Sequence, residues 1–411
     1  MKHRRVYSIW GGLVSGVFSL LLIALTGCYD SPTAPEIQEP DLTSLHTGLG
    51  KSSSDVVIQT PEVWKDLVVF AHGYVDPNAG PAAWQDQLYA LGPYLPDLVN
   101  EMGYAFAATR YRREGLIIWE AVEDVVTLVN QFSDTYGLPR HIYLVGASEG
   151  GLITALAVEQ YPNLFAGGLA LCGPVGDFRK QLNYFGDFHV VFNYFFPGLL
   201  PNSSPAGVDP VIENSWGTAE APGPSQLHVI DYLFNNPSVE IKARIRKLLK
   251  VTKAPVDPDE INTVAETILG ILRYNIVGTN NALAVLGGQP FDNTRRWYFG
   301  TGSFWEDWRL NRRVERIRAN PGTLVEIEQH YQTSGDLSRP IVMLHTTKDP
   351  IVPYWHEPLY RLKVFTNGSN LLHSNFPVFR YGHCNFEVTE VQKAFTLLVT
   401  KVKILEAVAS L

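Results

Sequence analysis

Ser148, Asp349 and His383 have the types, the order and the neighbours needed to break an acyl bond by nucleophilic attack. Ser148 stands in "LVGASEGG", with Gly146 two residues before it and Gly150 two residues after it. A serine hydroxyl is a weak nucleophile. It needs a base to take its proton, an acid to orient that base, and hydrogen-bond donors to receive the oxyanion. The pattern Gly-x-Ser-x-Gly arises by chance often enough that the surrounding elements must decide what it means.

For Ser148 to be presented in this way, a strand must lead into it and a helix must lead away. "HIYLVG", rich in β-branched and aromatic residues, predicts the strand, and "GLITALAVEQYP" predicts the helix, which Pro162 stops. In such a strained turn, small residues two before and two after the serine avoid clashes with the neighbouring strand and helix, and Gly146 and Gly150 are those residues. A glycine-rich turn with a capping serine is the competing reading. Upstream, "DLVVFAHG" predicts a buried strand ending in a loop. Residues 83–102 predict a helix that Pro93 and Pro96 must kink or split. "YAFAATRY" predicts the next strand, and Val122, Val125, Val126 and Val129 give residues 119–132 one apolar helical face. This alternation from Trp64 onward predicts a mostly parallel sheet flanked by helices.

Asp349 follows the apolar strand of "RPIVMLHTTKDPIVPYW", and His383 follows the strand of "FPVFRYGHCNFEV", ahead of a final helix. Both fall at C-terminal ends of strands, the edge at which such sheets bind ligands. Of the eleven histidines, His345 lies inside the apolar strand and reads as a packed core residue with a satisfied nitrogen. His356 and His373 lie on less defined segments, and Asp336 precedes the strand, at the wrong edge. His383 is therefore the expected base and Asp349 the expected acid. One oxyanion donor is expected from the backbone N–H of Glu149. The other is expected from the loop "AHGYVDP", where Tyr74 N–H is best placed, and the Tyr74 ring reads either as a wall for substrate or as packing. No His-x-x-x-His pair or cysteine cluster at ligand spacing occurs, so a zinc hydrolase is disfavoured and no cofactor is expected.

The His72-Gly73 loop, the Gly-x-Ser-x-Gly turn, the post-strand Asp349 and the late His383 together resemble the α/β-hydrolase superfamily, from about residue 64 to the end of the chain. The resemblance implies an α/β-hydrolase fold and a serine hydrolase. It leaves the substrate open, because that fold serves esterases, lipases and peptidases. His383-Cys384 is also similar to the His-Cys half of a motif in tannases and feruloyl esterases, where a cysteine before the serine bridges to one after the histidine. Ala147 stands before Ser148 here, so that motif is broken. Cys172 ends the strand after the turn, and both Cys172 and Cys384 are expected at the catalytic edge of an exported chain. We therefore expect a Cys172–Cys384 disulfide. Two buried free thiols are the alternative.

The whole chain has 411 residues, 45% hydrophobic and 18% charged, which is a globular composition. Its 33 basic and 41 acidic residues give a net charge of -8, with no basic block beyond the extreme N-terminus, so nucleic acid is not an expected partner. Lys2, Arg4 and Arg5, the apolar run Ile9 to Leu25 and the sequence Leu25-Thr26-Gly27-Cys28 resemble a bacterial lipoprotein signal. Residues 1–27 are expected to be cleaved, with a lipid on Cys28 anchoring the chain in the bacterial cell envelope, outside the cytoplasmic membrane. An uncleaved membrane anchor is the alternative. Residues 28–54, rich in Pro, Ser, Thr and Gly, are expected to be a flexible tether. The core is expected over 55–173 and 339–411, with a large helical cap over 174–338 that has helical patterns near 239–251 and 259–286. Within the cap, "LNYFGDFHVVFNYFFPGLLP" reads either as core or as the lining of an acyl or aryl pocket. The expected activity is cleavage of a small-molecule carboxylic ester through an acyl-enzyme. The alternatives are an aminopeptidase or a peptidase of the prolyl oligopeptidase type, and a non-catalytic surface binding protein.

Overall fold

Residues 55–217 and 225–410 are described by the computed structural model. The expected signal segment, Cys28 and the expected tether through residue 54 lie outside the described residues. Strands β1 (Val56–Gln59), β2 (Leu67–Ala71), β3 (Ala105–Thr109), β4 (Ile142–Ala147), β5 (Gly167–Leu171), β8 (Ile341–Lys348) and β9 (His373–Tyr381) form one sheet. β6 (Ser203–Ser204) and β7 (Gly207–Val208) make a separate short pair. The strand order in the sheet is β1-β3-β2-β4-β5-β8-β9, with β1 antiparallel to β3 and every other pairing parallel. β1 was not foreseen, since its four residues abut the serine-rich sequence Ser52-Ser53-Ser54 and carry no turn signal.

The helices are α1 (Leu95–Glu101), α2 (Ile118–Tyr136), α3 (Glu149–Gln160), α4 (Phe178–Phe195), α5 (Pro210–Ser215), α6 (Gln226–Leu233) and α7 (Val239–Thr252). They continue with α8 (Ile261–Val277), α9 (Thr279–Val285), α10 (Phe304–Arg313), α11 (Pro321–His330), α12 (His356–Thr366) and α13 (Val388–Ala409). The helix expected over 83–102, to be kinked or split by its prolines, is split into a 3-10 helix Ala83–Tyr89 and α1. Pro93 lies in the break and Pro96 in the first turn of α1, where its missing N–H costs nothing. The pattern near 259–286 likewise divides at Gly278 into α8 and α9.

Side chains alternate along each strand, and here both faces are apolar because both are covered. Leu67, Val69 and Ala71 point into one core with α2 and α3, while Val68 and Phe70 point into the other with α13. Residues 174–338 hold α4 to α11 and the β6–β7 pair, and a third cluster built on Phe188, Phe192, Leu248 and Ile271 gives much of this insertion its own interior. Among the described residues no helix is long and apolar enough to cross a membrane.

Candidate active site

The turn at Ser148 is built by the close meeting of β4, β2 and α3. Ser148 has φ 58° and ψ -122°, a left-handed strained conformation for a non-glycine residue, and α3 begins at the next residue. A Cβ on Gly146 would run into the Gly150 carbonyl, and one on Gly150 would run into the Ala71 carbonyl of β2. Only hydrogen fits at either place, so the glycine spacing follows from backbone contact. Parallel register sets Ala71 beside Gly146 and Ala147 beside Leu171. The residues that follow β2, β4 and β5 therefore emerge side by side at one edge.

β8 and β9 deliver the other two groups to that edge. His383 Nδ1 lies 2.7 Å from Asp349 Oδ2, and His383 Nε2 lies 2.8 Å from Ser148 Oγ. With Nδ1–H donated to the carboxylate, Nε2 is left to accept the serine proton. Asp349 is fully buried, and its Oδ1 accepts the backbone N–H groups of Ile351 and Val352, both at 2.9 Å. Burial works against its charge. The His383 and His345 rings outweigh that cost and hold the carboxyl at about 2.

His345 is buried, as expected, with both ring nitrogens satisfied, but it also belongs to the site. Its Nε2 faces the Val352 carbonyl at 2.8 Å, which can only accept, and its Nδ1 faces Glu357 Oε1 at 2.9 Å. Burial lowers the affinity of this ring for a proton. The nearby Asp349 carboxylate and the bond to Glu357 reverse the balance and raise it to about 10, so the ring is an imidazolium at neutral pH. Glu357 is in turn bonded by Asn375 Nδ2. A second histidine and carboxylate thus lie behind the first pair, with His345 Nε2 at 3.6 Å from Asp349 Oδ2. His356 is elsewhere: its Nδ1 accepts from Gly176 N–H at 3.1 Å, and its Nε2 meets Gln181 Oε1 at 2.9 Å. His373 opens β9, and Asp336 lies before β8, at the other end of that strand.

The backbone N–H of Glu149 opens α3, where the first helical donors lack partners within the helix. Tyr74 N–H lies in the loop after β2, and neither donor has an acceptor among the described residues. Gln87, from the 3-10 helix, holds this loop: its Oε1 accepts Gly73 N–H at 2.6 Å, and its Nε2 donates to the Gly73 and Tyr74 carbonyls. Nothing in the spacing of the sequence marked Gln87 for this task. The Glu149 side chain is buried, with Oε1 accepting Ile117 N–H at 3.0 Å and Oε2 bonded to no protein group. Burial pushes its carboxyl up to about 8, so it is mostly protonated at neutral pH.

A cavity of about 910 Å³, counting the space at its open mouth, runs from Ser148 into the insertion. It is lined mainly by apolar groups, among them Leu116, Ile118, Leu182, Phe185, Tyr274 and Phe291. The Tyr74 ring is part of this wall, edge-on to Tyr274, with its hydroxyl donating to the Val277 carbonyl at 3.3 Å. The aromatic run of α4 divides by helical face. Leu182 and Phe185 face the cavity, while Phe188 and Phe192 are buried in the interior of the insertion. Tyr184 and Gln181 donate to the Pro350 and Ile351 carbonyls, both at 2.8 Å, and so tie α4 to the loop that carries Asp349.

Cys172 and Cys384 are joined in a disulfide with their α-carbons 5.5 Å apart. Cys172 directly follows β5, whose last residue Leu171 pairs with Ala147, which explains how a link to the His383 loop is made without a cysteine before the serine. Both cysteines have positive φ, so three non-glycine residues in the left-handed region, with Ser148, gather at this edge.

Residues 118–254 match the family described as serine aminopeptidase, S33, about a third of the chain, which includes the Ser148 turn but neither Asp349 nor His383. No curated protein matches the chain. Among solved structures the chain is similar to Est1E from Butyrivibrio proteoclasticus with bound ferulic acid, at 11% identity and TM-score 0.38, covering 86% of this chain and 95% of that one. It is similar to the Paleococcus ferrophilus monoacylglycerol lipase at 12% identity and TM-score 0.37, covering 85% and 98%. It is also similar to the Pyrococcus horikoshii acylaminoacyl peptidase at 13% identity and TM-score 0.36, covering 80% of this chain but only 35% of that one. With its parallel sheet led by one antiparallel strand and its serine on the strained turn between β4 and α3, the chain has the α/β-hydrolase fold, and its segment 118–254 is similar to the serine aminopeptidase family.

Proposed function

We propose that the protein hydrolyses a carboxylic ester of a small molecule through an acyl-enzyme on Ser148. His383 Nε2 takes the serine proton as Oγ attacks the carbonyl carbon, and Asp349 keeps the imidazole in the required tautomer and stabilises the imidazolium. The N–H groups of Glu149 and Tyr74 receive the oxyanion. His383 then passes its proton to the leaving alcohol, and water attacks the acyl-enzyme by the same route in reverse. The observation that carries this reading is the unbroken hydrogen-bonded series Ser148, His383, Asp349 at the end of an apolar cavity. We further propose that residues 174–338 act as a cap that sets which acyl or aryl group enters, and that Cys28 anchors the enzyme in the cell envelope.

The segment matching a serine aminopeptidase family supports a second reading, release of an N-terminal amino acid. That reaction needs a carboxylate to hold the substrate ammonium. Among the described residues Glu149 is the only carboxyl in the cavity wall, and burial keeps it mostly protonated at neutral pH, which favours the ester. Acyl p-nitrophenyl esters should be turned over with kcat/KM at least roughly a hundredfold above aminoacyl p-nitrophenyl esters, which share the leaving group and differ in the free ammonium, the discrimination expected from a site lacking a partner for the charged amine. The opposite order would assign the site to a peptidase.

A further inference from the structure

α10 and the loop before it carry exposed aromatic rings that the proposed reaction does not use. Phe304 is 68% exposed, Trp305 67%, Phe299 55%, Trp297 52% and Trp308 39%. The rings of Phe304, Trp305 and Trp308 form a continuous surface, with centroids 5.5 and 6.5 Å apart in turn. Exposed aromatic groups gathered in this way mark a surface that meets something. Solvent gives no reason to keep them there.

The charge around the rings says what they meet. Residues 295–318 hold seven arginines against three carboxylates in a chain of net charge -8, and of those arginines Arg296 is paired with Asp187 of α4. Two of those carboxylates are engaged locally, Glu306 with Lys247 and Asp307 with the N–H groups of Gly300 and Thr301. Arg309 and Arg312 meet no carboxylate among the described residues. Arg312 lies over the Trp308 ring at 4.8 Å, and Lys253, just after α7, lies over Phe299 at 5.1 Å. Two-fold pairing with a second copy would set this positive face against itself. Tryptophan and phenylalanine flanked by arginine and lysine instead suit the boundary between anionic lipid headgroups and acyl chains, where the ring enters and the cation stays outside.

We propose that Phe304, Trp305 and Trp308, with the surrounding arginines, form a docking surface that seats the insertion on an anionic lipid bilayer. The surface acts whether or not Cys28 carries a lipid.

The test compares the full chain with its F304S/W305S/W308S variant, both carrying Trp10→Phe so that the apolar N-terminal run contributes no tryptophan signal. Each is mixed with vesicles of phosphatidylcholine and phosphatidylglycerol whose acyl chains bear bromine, a short-range quencher of tryptophan fluorescence. Fractional quenching is expected in the parent, should fall as salt is raised, and should weaken in vesicles of phosphatidylcholine alone. In the variant the partition constant for the bilayer contact should fall by roughly tenfold or more with an unchanged melting temperature. Equal fractional quenching in parent and variant, or no quenching in the parent, would overturn the proposal. So would a concentration-dependent dimer of the parent that the variant abolishes without any vesicle effect, since the surface would then belong to a second copy.

Discussion

At the scale of single residues, the buried carboxyl next to the nucleophile gives a pH test with a definite sign. Glu149 has its carboxyl raised from the ordinary glutamate range to about 8, first by burial and then by the nearby Glu120, against the Ile117 N–H and Arg113. The folded state therefore holds the proton more tightly than the unfolded chain. Stability is fully present below the unfolded value near 4.5 and is lost as pH rises through about 8. Glu149→Gln keeps the acceptor for Ile117 N–H and has nothing to ionise. Its melting temperature should match the parent at pH 5 and exceed it above pH 8, by an amount on the order of a few kcal/mol in stability. A difference between the two that stays constant from pH 5 to pH 9 would show that the carboxyl titrates normally. Ser148, Asp349 and His383 were legible in the sequence because each follows a strand end, where order and neighbours constrain the choice. The tie of His345 to Asp349 and Glu357 was not legible. It depends on α12 folding back over β8, which no local spacing reveals.

At the scale of elements, two structures should separate rigidity from selection. The disulfide joins the end of β5 to the His383 loop across a sequence separation of 212 residues. Cys172→Ala with Cys384→Ala, or reduction of the parent, should cost about 2–5 kcal/mol of stability and lower kcat more than it raises KM, because the loop it restrains carries the base. An unchanged melting temperature on reduction would count against it. In α4, Phe185→Ala enlarges the cavity wall and should move the preferred ester toward bulkier acyl or aryl groups, leaving the reaction of Ser148 with a small probe within about twofold. Phe192→Ala, on the buried face of the same helix, should instead lower stability by about 3–5 kcal/mol with little change in preference. If both substitutions changed stability and neither changed preference, α4 would be packing alone. Most strands were legible as apolar runs between turn residues. β1 was not, being four residues long beside the serine-rich sequence Ser52-Ser53-Ser54. The division of 83–102 was visible in its prolines, but the role of Gln87 in the 3-10 helix required the loop after β2 to be in view.

At the scale of the whole molecule, the proposed acyl-transfer site lies on an α/β-hydrolase fold beside the helical insertion 174–338, and the molecule is proposed to work at a membrane. The anchor is tested by Cys28→Ser, which should leave the protein unprocessed or release it from the membrane fraction. Normal membrane retention of a correctly cleaved serine variant would remove Cys28 from the account. The central claim is that Ser148 is the nucleophile and is activated by His383. It is tested most directly by reacting the full chain with a fluorophosphonate and locating the adduct by mass spectrometry, alongside ester turnover. The account predicts one adduct per chain on the peptide containing Ser148, no adduct on Ser148→Ala, and slow labelling of His383→Ala, with turnover in both variants reduced roughly 10⁴-fold or more. Labelling at another residue, or ester turnover retained by Ser148→Ala, would contradict it.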